Sequence, residues 1–163
     1  MNRQRIFKMT QSAVFCALIF IMVSFIKINT INSNYIHLGD CMIYIAACIM
    51  PVPYAAFSAG VGAMLADIYV GVPIWAPYTL IIKILMVLCF TYKGKILCIR
   101  NVIALIVAGI INIGGYAIAE LIISNQCLGV LSTAVQTVSN TVIFIIIALA
   151  IDLTKIKRYL SLN

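Results

Sequence analysis

The sequence predicts an all-α integral membrane protein, with six transmembrane helices in one compact bundle and both termini in the cytoplasm. The first observation is composition: of 163 residues, 64% are hydrophobic and 9% are charged, and the mean hydropathy is +1.16. A water-soluble domain normally carries about 25% charged residues, so this chain could not cover a water-facing surface. The other two observations are a series of apolar segments separated by short polar turns, and basic residues confined to alternate turns.

Each helix is predicted from one apolar segment, given that a crossing of the hydrocarbon core takes about 20 residues. The first segment follows a basic start but is too long for a signal peptide and lacks a cleavage site, which indicates a retained helix. The second is too short to span alone, because Pro51 and Pro53 interrupt it. The chain, 1–163, is interpreted as a single domain. The predicted helices cover residues 9–28, 41–50, 55–70, 78–90, 101–123 and 130–153.

The basic residues set the predicted orientation. The net charge of +7 would suggest nucleic-acid binding in a soluble protein, but here these residues flank apolar segments. They cluster before helix 1, between helices 4 and 5, and after helix 6, whereas the intervening turns have none. Six crossings place all three clusters on one side, which the positive-inside rule makes cytoplasmic. The clusters are Arg3, Arg5 and Lys8; Lys93, Lys95 and Arg100; and Lys155, Lys157 and Arg158.

With that topology, the polar residues of the helices gather in the outer half of the membrane. Helical spacing places residues four positions apart on one face, and an ionisable group at this depth is costly unless it faces a partner or a cavity. The pattern indicates a pocket for a small polar or heterocyclic molecule, loaded from outside. Its candidate residues are Asp67, Trp75, Tyr78, Thr79, Lys83, Asn112, Tyr116, Glu120, Gln136 and Asn140, with Tyr35, His37 and Asp40 from the preceding loop.

Several of these residues also have a purely structural interpretation. Asp67 could cap a helix or pair with a neighbour, and Lys83 could form an ion pair with Glu120. Asn112 and Asn140 could form hydrogen bonds between helices. The aromatic candidates could belong to an interfacial belt, and His37 could be a surface residue. Asp40 is expected to cap helix 2.

Three segments together resemble a known family: YIHLGDCMIYIAACIMP, AAFSAGVGAMLADIYVG and VPIWAPYTLIIKILMVL. Their order is similar to that of S components, the substrate-binding membrane subunits of energy-coupling factor (ECF) vitamin transporters. The resemblance covers nearly the whole chain and points to the riboflavin, pyridoxine and hydroxymethylpyrimidine branch.

The resemblance implies a function and partners. Ala13 and Ala17 match the AxxxA motif that docks the S component on the transmembrane coupling (T) subunit, and 34–40 match an outer loop that covers the pocket. Two ATPase subunits would complete a transporter in a prokaryotic cell membrane, and the S component would topple in the bilayer to release its ligand inside. The expected ligand is of the pyridoxine or hydroxymethylpyrimidine type, with riboflavin next.

Two departures from the family are the short chain and the brief second helix. The N-terminus lacks the histidine that nickel and cobalt members use, and the six cysteines lack metal-ligand spacing. No metal or cofactor is therefore predicted.

Two other classes of function were compared with this one. An intramembrane enzyme could use Asp40, Asp67, His37 and Glu120, but the context His-Leu-Gly-Asp is not the Gly-x-Gly-Asp of aspartyl proteases, and no GxSxG is present. A stand-alone secondary transporter or small channel is the main alternative, although such transporters often contain repeats and none is visible. The chain has no Walker A motif, so ATP hydrolysis is assigned to partners.

Overall fold

Six helices and one short hairpin make up the described protein. The computed structural model describes residues 3–29 and 35–154, without the side chains of residues 28, 29 and 35. The predicted basic cluster after helix 6 lies outside these residues, as does Asn34 of the predicted outer loop. The elements in chain order are α1 (Arg3–Ser24), β1 (Lys27–Asn29), β2 (Tyr35–His37), α2 (Gly39–Ile49), α3 (Val52–Val70), a 3₁₀ turn (Pro73–Trp75), α4 (Ala76–Leu88), α5 (Ile99–Ser124) and α6 (Val130–Thr154).

The predicted number of helices is confirmed, and the ends of the first one are corrected. The prediction extended helix 1 to residue 28, but α1 ends at Ser24. Residues 27–29 instead form an antiparallel ladder with 35–37, in which Lys27 lies opposite His37. The ladder pairs backbone groups that would otherwise lack partners, and it brings His37 directly to the start of α2.

Three helices are long and apolar enough to cross a membrane, namely α1, α5 and α6. Their outer faces carry exposed apolar side chains such as Val14, Ile106, Ile110 and Ile146, which suits contact with lipid rather than water. The segments α2 and Pro73–Leu88 are shorter apolar helices. The six crossings and the cytoplasmic termini stay predictions.

Helix α2 lies at the centre of the bundle. It packs against α1, α3, α4 and α6, and Met42 is its one residue with partial exposure. Tyr44 forms an aromatic cluster with Phe90 and Phe144, at centroid distances of 5.3 and 5.6 Å. This position explains why a run of about ten apolar residues suffices, since a helix enclosed by protein need not match the thickness of the bilayer.

Glycines allow α3 to pack closely between α1 and α4. A Cβ atom on Gly62 would lie 2.7 Å from the backbone oxygen of Cys16 in α1, and one on Gly60 would lie 2.8 Å from Leu80 Cδ1 in α4. Small residues at such positions let helix backbones approach closely in membrane proteins. Helix α3 ends at Val70 and is followed by Gly71, which has φ = 94°, a left-handed conformation that favours glycine.

Candidate functional site

A pocket opens at one end of the bundle, where α3 and α5 end and where α4 and α6 begin. It is a cleft open to solvent with a cavity volume of about 150 Å³, smaller than the roughly 300–1,000 Å³ typical of small-molecule sites. The lining residues are His37, Asp67, Val72, Trp75, Thr79, Tyr116, Glu120, Gly129, Ser132, Thr133 and Gln136.

Seven of the predicted site residues line this pocket: His37, Asp67, Trp75, Thr79, Tyr116, Glu120 and Gln136. The prediction missed Val72, Gly129, Ser132 and Thr133. The two hydroxyl residues had a signal, because Ser132 precedes Gln136 by four positions and therefore shares its helix face. Val72 and Gly129 had none, because an apolar residue or a glycine in a turn carries no chemical signature of a binding site.

An aromatic pair forms one wall of the pocket. Trp75 and Tyr116 lie 6.1 Å apart between ring centroids, with 44° between the ring planes. The hydroxyl groups of Tyr116 and Thr79 share a hydrogen bond of 3.0 Å, and Lys83 Nζ lies 5.1 Å from the centre of the Tyr116 ring. The hydrogen bond and the cation–π contact fix the orientation of the Tyr116 ring, which can then stack on a flat ligand.

A layer of buried polar groups lies beneath the pocket. Lys83 Nζ donates to Asp40 Oδ1 at 2.7 Å and to Asn112 Oδ1 at 2.8 Å. The two charged side chains are 1% and 0% exposed. Asn112 Nδ2 donates to Thr137 Oγ1 and, more weakly at 3.3 Å, to Asp40 Oδ2. A buried charge pair is tolerated only when hydrogen bonds satisfy its remaining atoms, and Asn112 does this for both partners.

For two charged residues the structure differs from an interpretation of the sequence: the expected Asp40 cap is wrong, and the Lys83–Glu120 ion pair, an open alternative, does not form. Asp40 does not cap α2, because Leu38 occupies the N-cap position without a side-chain hydrogen bond and the Asp40 carboxylate faces Lys83 instead. Lys83 does not pair with Glu120. The Glu120 carboxylate accepts hydrogen bonds from the backbone N–H groups of Leu128 and Gly129, at 2.9–3.0 Å.

His37 is buried, not a surface residue, and α6 holds the segment around it. Asn140 Nδ2 donates to the backbone oxygen of His37 at 2.8 Å, and Asn140 Oδ1 accepts from the N–H of Cys41 at 2.9 Å. Gln136 Nε2 donates to Asp40 Oδ2 at 3.2 Å and lies 3.3 Å from His37 Nε2. These contacts attach the end of β2 and the start of α2 to one face of α6.

The imidazole of His37 is neutral at physiological pH. Burial lowers the pKa of His37 to about 4, aided by the Lys83 cation and opposed by Asp40. Its Nδ1 accepts a hydrogen bond from the N–H of Gly39 at 3.2 Å. His37 therefore presents an uncharged polar edge to the pocket.

Two candidates remain, Tyr78 and Tyr35. Tyr78 is half-buried against the hydrophobic core and does not line the pocket. Tyr35 begins β2, and its side chain lies outside the described part of the chain.

Comparison with known proteins assigns the chain to a family. A family model described as ECF-type riboflavin transporter, S component, matches residues 3–157. The chain belongs to this family of S components. The resemblance to S components seen in the sequence is thereby confirmed. The family is one of transport components, not of enzymes, and its members work with T and ATPase subunits.

The S component is also similar to an archaeal protein. Over 87 residues it is 32% identical to a protein of Pyrococcus woesei described as "Uncharacterized protein in gap 3'region". The match covers 52% of this chain and 58% of that relative. Because that description carries no function, the relative adds no information about the ligand.

The predicted docking residues of the S component lie on the surface of α1. Ala13 and Ala17 are exposed, beside the exposed side chains of Val14 and Leu18. The opposite face of α1 contacts α3 through Ser12, whose hydroxyl donates to the backbone oxygen of Tyr54 at 2.9 Å. The small residues are therefore available to a partner helix.

Proposed function

We propose that this S component captures a flat heterocyclic vitamin, or a precursor of one, from outside the cell and delivers it inward with a T subunit and two ATPase subunits. The observation that carries the proposal is the polar, aromatic-walled pocket at one end of an otherwise apolar bundle. Membership of the S-component family supports the transport role.

The distribution of basic residues supports an outward-facing pocket. Lys93, Lys95 and Arg100 lie in and after the loop from α4 to α5, at the end of the bundle opposite the pocket. The basic start of α1 also lies away from the pocket, because α1 leads through the hairpin to His37. The positive-inside rule places that end in the cytoplasm, which leaves the pocket open to the exterior.

Riboflavin is the first compound to test as the ligand. The description of the matched family supports it. Trp75 and Tyr116 could stack on the rings while Thr79, Ser132 and Gln136 bond to hydroxyl groups. Pyridoxine and the hydroxymethylpyrimidine of thiamine, which the sequence favoured, are the second candidates because one ring and a hydroxymethyl group suit the same chemistry.

Native mass spectrometry of the protein purified from its host tests the proposal most directly. We expect a bound mass equal to one of these compounds, followed by saturable binding at micromolar or lower concentration when the purified protein is titrated with it. An S component that binds none of the three compounds would contradict the proposed ligand class. Uptake into liposomes by the protein alone, without ATPase partners, would favour a stand-alone transporter instead.

Docking on the T subunit through α1 has a separate test. Replacing both Ala13 and Ala17 by Trp should prevent co-purification with the T subunit, because the partner helix could no longer approach closely. Ligand affinity should stay unchanged, since both residues lie away from the pocket. A matched control is Trp at both Ile106 and Ile110, an exposed pair with the same spacing on α5. Assembly lost in the control pair and kept in the alanine pair would refute the assignment.

A further inference from the structure

The first turn of α6 forms part of the pocket wall. Gly129, Ser132 and Thr133 line the pocket, and α6 begins at Val130. The start of a helix leaves backbone N–H groups without partners and carries a partial positive charge. Such a helix start ordinarily attracts phosphate or carboxylate groups, so this wall would be the natural place for an anionic ligand.

Glu120 already occupies this position. Its Oε1 accepts hydrogen bonds from the N–H groups of Leu128 and Gly129, both at 3.0 Å, and its Oε2 accepts from Gly129 at 2.9 Å. The hydroxyl groups of Ser132 and Thr133 donate back to the oxygen of Gly129, at 2.8 and 3.0 Å. The two backbone N–H groups that precede α6, and the hydroxyl groups of its first turn, are therefore directed to groups of the protein itself.

The start of α4, the other helix start at the pocket, also offers few backbone N–H donors to an anionic ligand. The N–H of Trp75 donates to Val72 and that of Ala76 to Pro73, and Pro77 has no N–H. Trp75 is the lining residue nearest this helix start.

The remaining charges of the pocket are also unfavourable to an anion. Asp67 lines the pocket at 6% exposure, in the last turn of α3, where the helix dipole is itself negative. None of the described lining residues is Lys or Arg. Lys83 lies below the pocket and bonds Asp40 and Asn112, and Lys27 is exposed on β1 and does not line the pocket.

We infer that this pocket selects uncharged or cationic heterocycles and excludes their phosphate esters, with Glu120 as the specificity-determining residue because its carboxylate places a negative charge beside the start of α6. The inference rests on the proposed function and narrows its ligand to the unphosphorylated form. A phosphate placed in this pocket would meet two carboxylates, and like charges brought together in a binding site are strongly disfavoured.

The test compares each vitamin with its own phosphate ester on the full-length protein in detergent. The pairs are riboflavin with riboflavin 5′-phosphate, and pyridoxine with pyridoxine 5′-phosphate, titrated calorimetrically against wild type and three variants. We expect wild type to bind the ester roughly 30-fold or more weakly than its parent. Glu120→Gln keeps an oxygen for the loop but removes the charge, and should shrink that ratio by about 10-fold.

Two further variants make the result specific. Asp152→Asn is the matched control, since Asp152 also accepts hydrogen bonds from two successive backbone N–H groups, those of Ile96 and Leu97, but at the other end of the bundle. It should leave the ratio unchanged. Asp67→Asn leaves the Glu120 loop intact and should shrink the ratio, so the inference can be tested even if Glu120→Gln does not fold.

The outcomes separate the two proposals. If a parent vitamin binds and its ester binds equally well to wild type, the exclusion is wrong while the proposed function stands. If wild type discriminates but neither Glu120→Gln nor Asp67→Asn changes the ratio, the assignment to these carboxylates is wrong. If neither parent vitamin nor ester binds, the proposed function falls and the exclusion falls with it.

Discussion

At each end of the bundle, one carboxylate accepts hydrogen bonds from two successive backbone N–H groups, but the two ends have different roles. At the pocket end, Glu120 of α5 holds the loop before α6 through two successive backbone N–H groups. At the opposite end, Asp152 of α6 holds the loop before α5 through the N–H groups of Ile96 and Leu97, both at 3.0 Å. Each carboxylate thus supplies acceptors for backbone N–H groups of a loop that leads into a helix.

What differs between the two ends is the packing around the carboxylate. At the Asp152 end, Ile96 and Phe90 are buried, at 0% and 2% exposure. Asn101 bonds both the N–H and the oxygen of Thr91 and the oxygen of Ile96. The Glu120 end instead leaves an open cavity lined by polar side chains. The same carboxylate–backbone hydrogen bonds are therefore structural at one end and permit binding at the other. This indicates that the cavity, not the hydrogen-bonded carboxylate, distinguishes the functional end.

The largest expected effect comes from breaking the polar layer between the two ends. Lys83→Met leaves Asp40 buried without its cation, which should lower the free energy of unfolding by about 4 kcal/mol and abolish binding. Thermal or denaturant unfolding in detergent measures this. The double variant Lys83→Met/Asp40→Asn removes both charges and should recover most of the stability. A single variant as stable as wild type would refute a stabilising role for the pair.

At the closed end, Asn101→Ala should destabilise the protein without affecting the ligand. It removes the acceptor for Thr91 N–H and the donor to Thr91 and Ile96, and leaving such buried groups unpaired should cost about 3 kcal/mol. Unfolding and ligand titration of the same preparation measure both quantities. A changed affinity in a folded variant would mean that the two ends are coupled.

The opposite pattern is expected at the pocket. Trp75→Ala removes half of the aromatic wall and should weaken ligand binding by roughly 30-fold, with little change in unfolding because Trp75 is only half-buried. Trp75→Phe keeps a stacking surface and serves as the control, with a smaller loss. Equal losses for Phe and Ala would show that the ring does not stack on the ligand.

A smaller effect is expected from pH. The folded state holds the pKa of His37 at about 4, below the ordinary 6.5, so the contribution of His37 to stability is complete above pH 6.5 and is lost as the pH falls from 6.5 towards 4. Between pH 7 and pH 5 the free energy of unfolding should fall by about 1–2 kcal/mol more in wild type than in His37→Gln. Parallel pH profiles for the two proteins would contradict a buried, neutral imidazole.

Much of this arrangement could be predicted from the sequence, because hydrophobic runs, prolines and basic clusters report helix positions and depth. The polar residues of α4, α5 and α6 were correctly expected near one end. What failed was the choice of partners. Lys83, Asp40 and Glu120 all had the right depth, but depth does not say which helices are adjacent around the bundle axis. Lys83 meets Asp40 because α2 occupies the centre, and a run of about ten apolar residues gives no sign of that position.

The central position of α2 has a consequence for how the protein is made. A helix of 11 residues with an aspartate at its second position inserts poorly into the bilayer on its own. A charged residue costs about 3 kcal/mol at mid-membrane, and the helix is too short to span. It becomes favourable only when α1, α3 and α6 surround it and α4 supplies the lysine. Biogenesis should therefore pass through an intermediate in which the outer helices are inserted and α2 still lies at the membrane surface. In ribosome-bound chains that end before Lys83, Cys41 should then be accessible to a water-soluble thiol reagent.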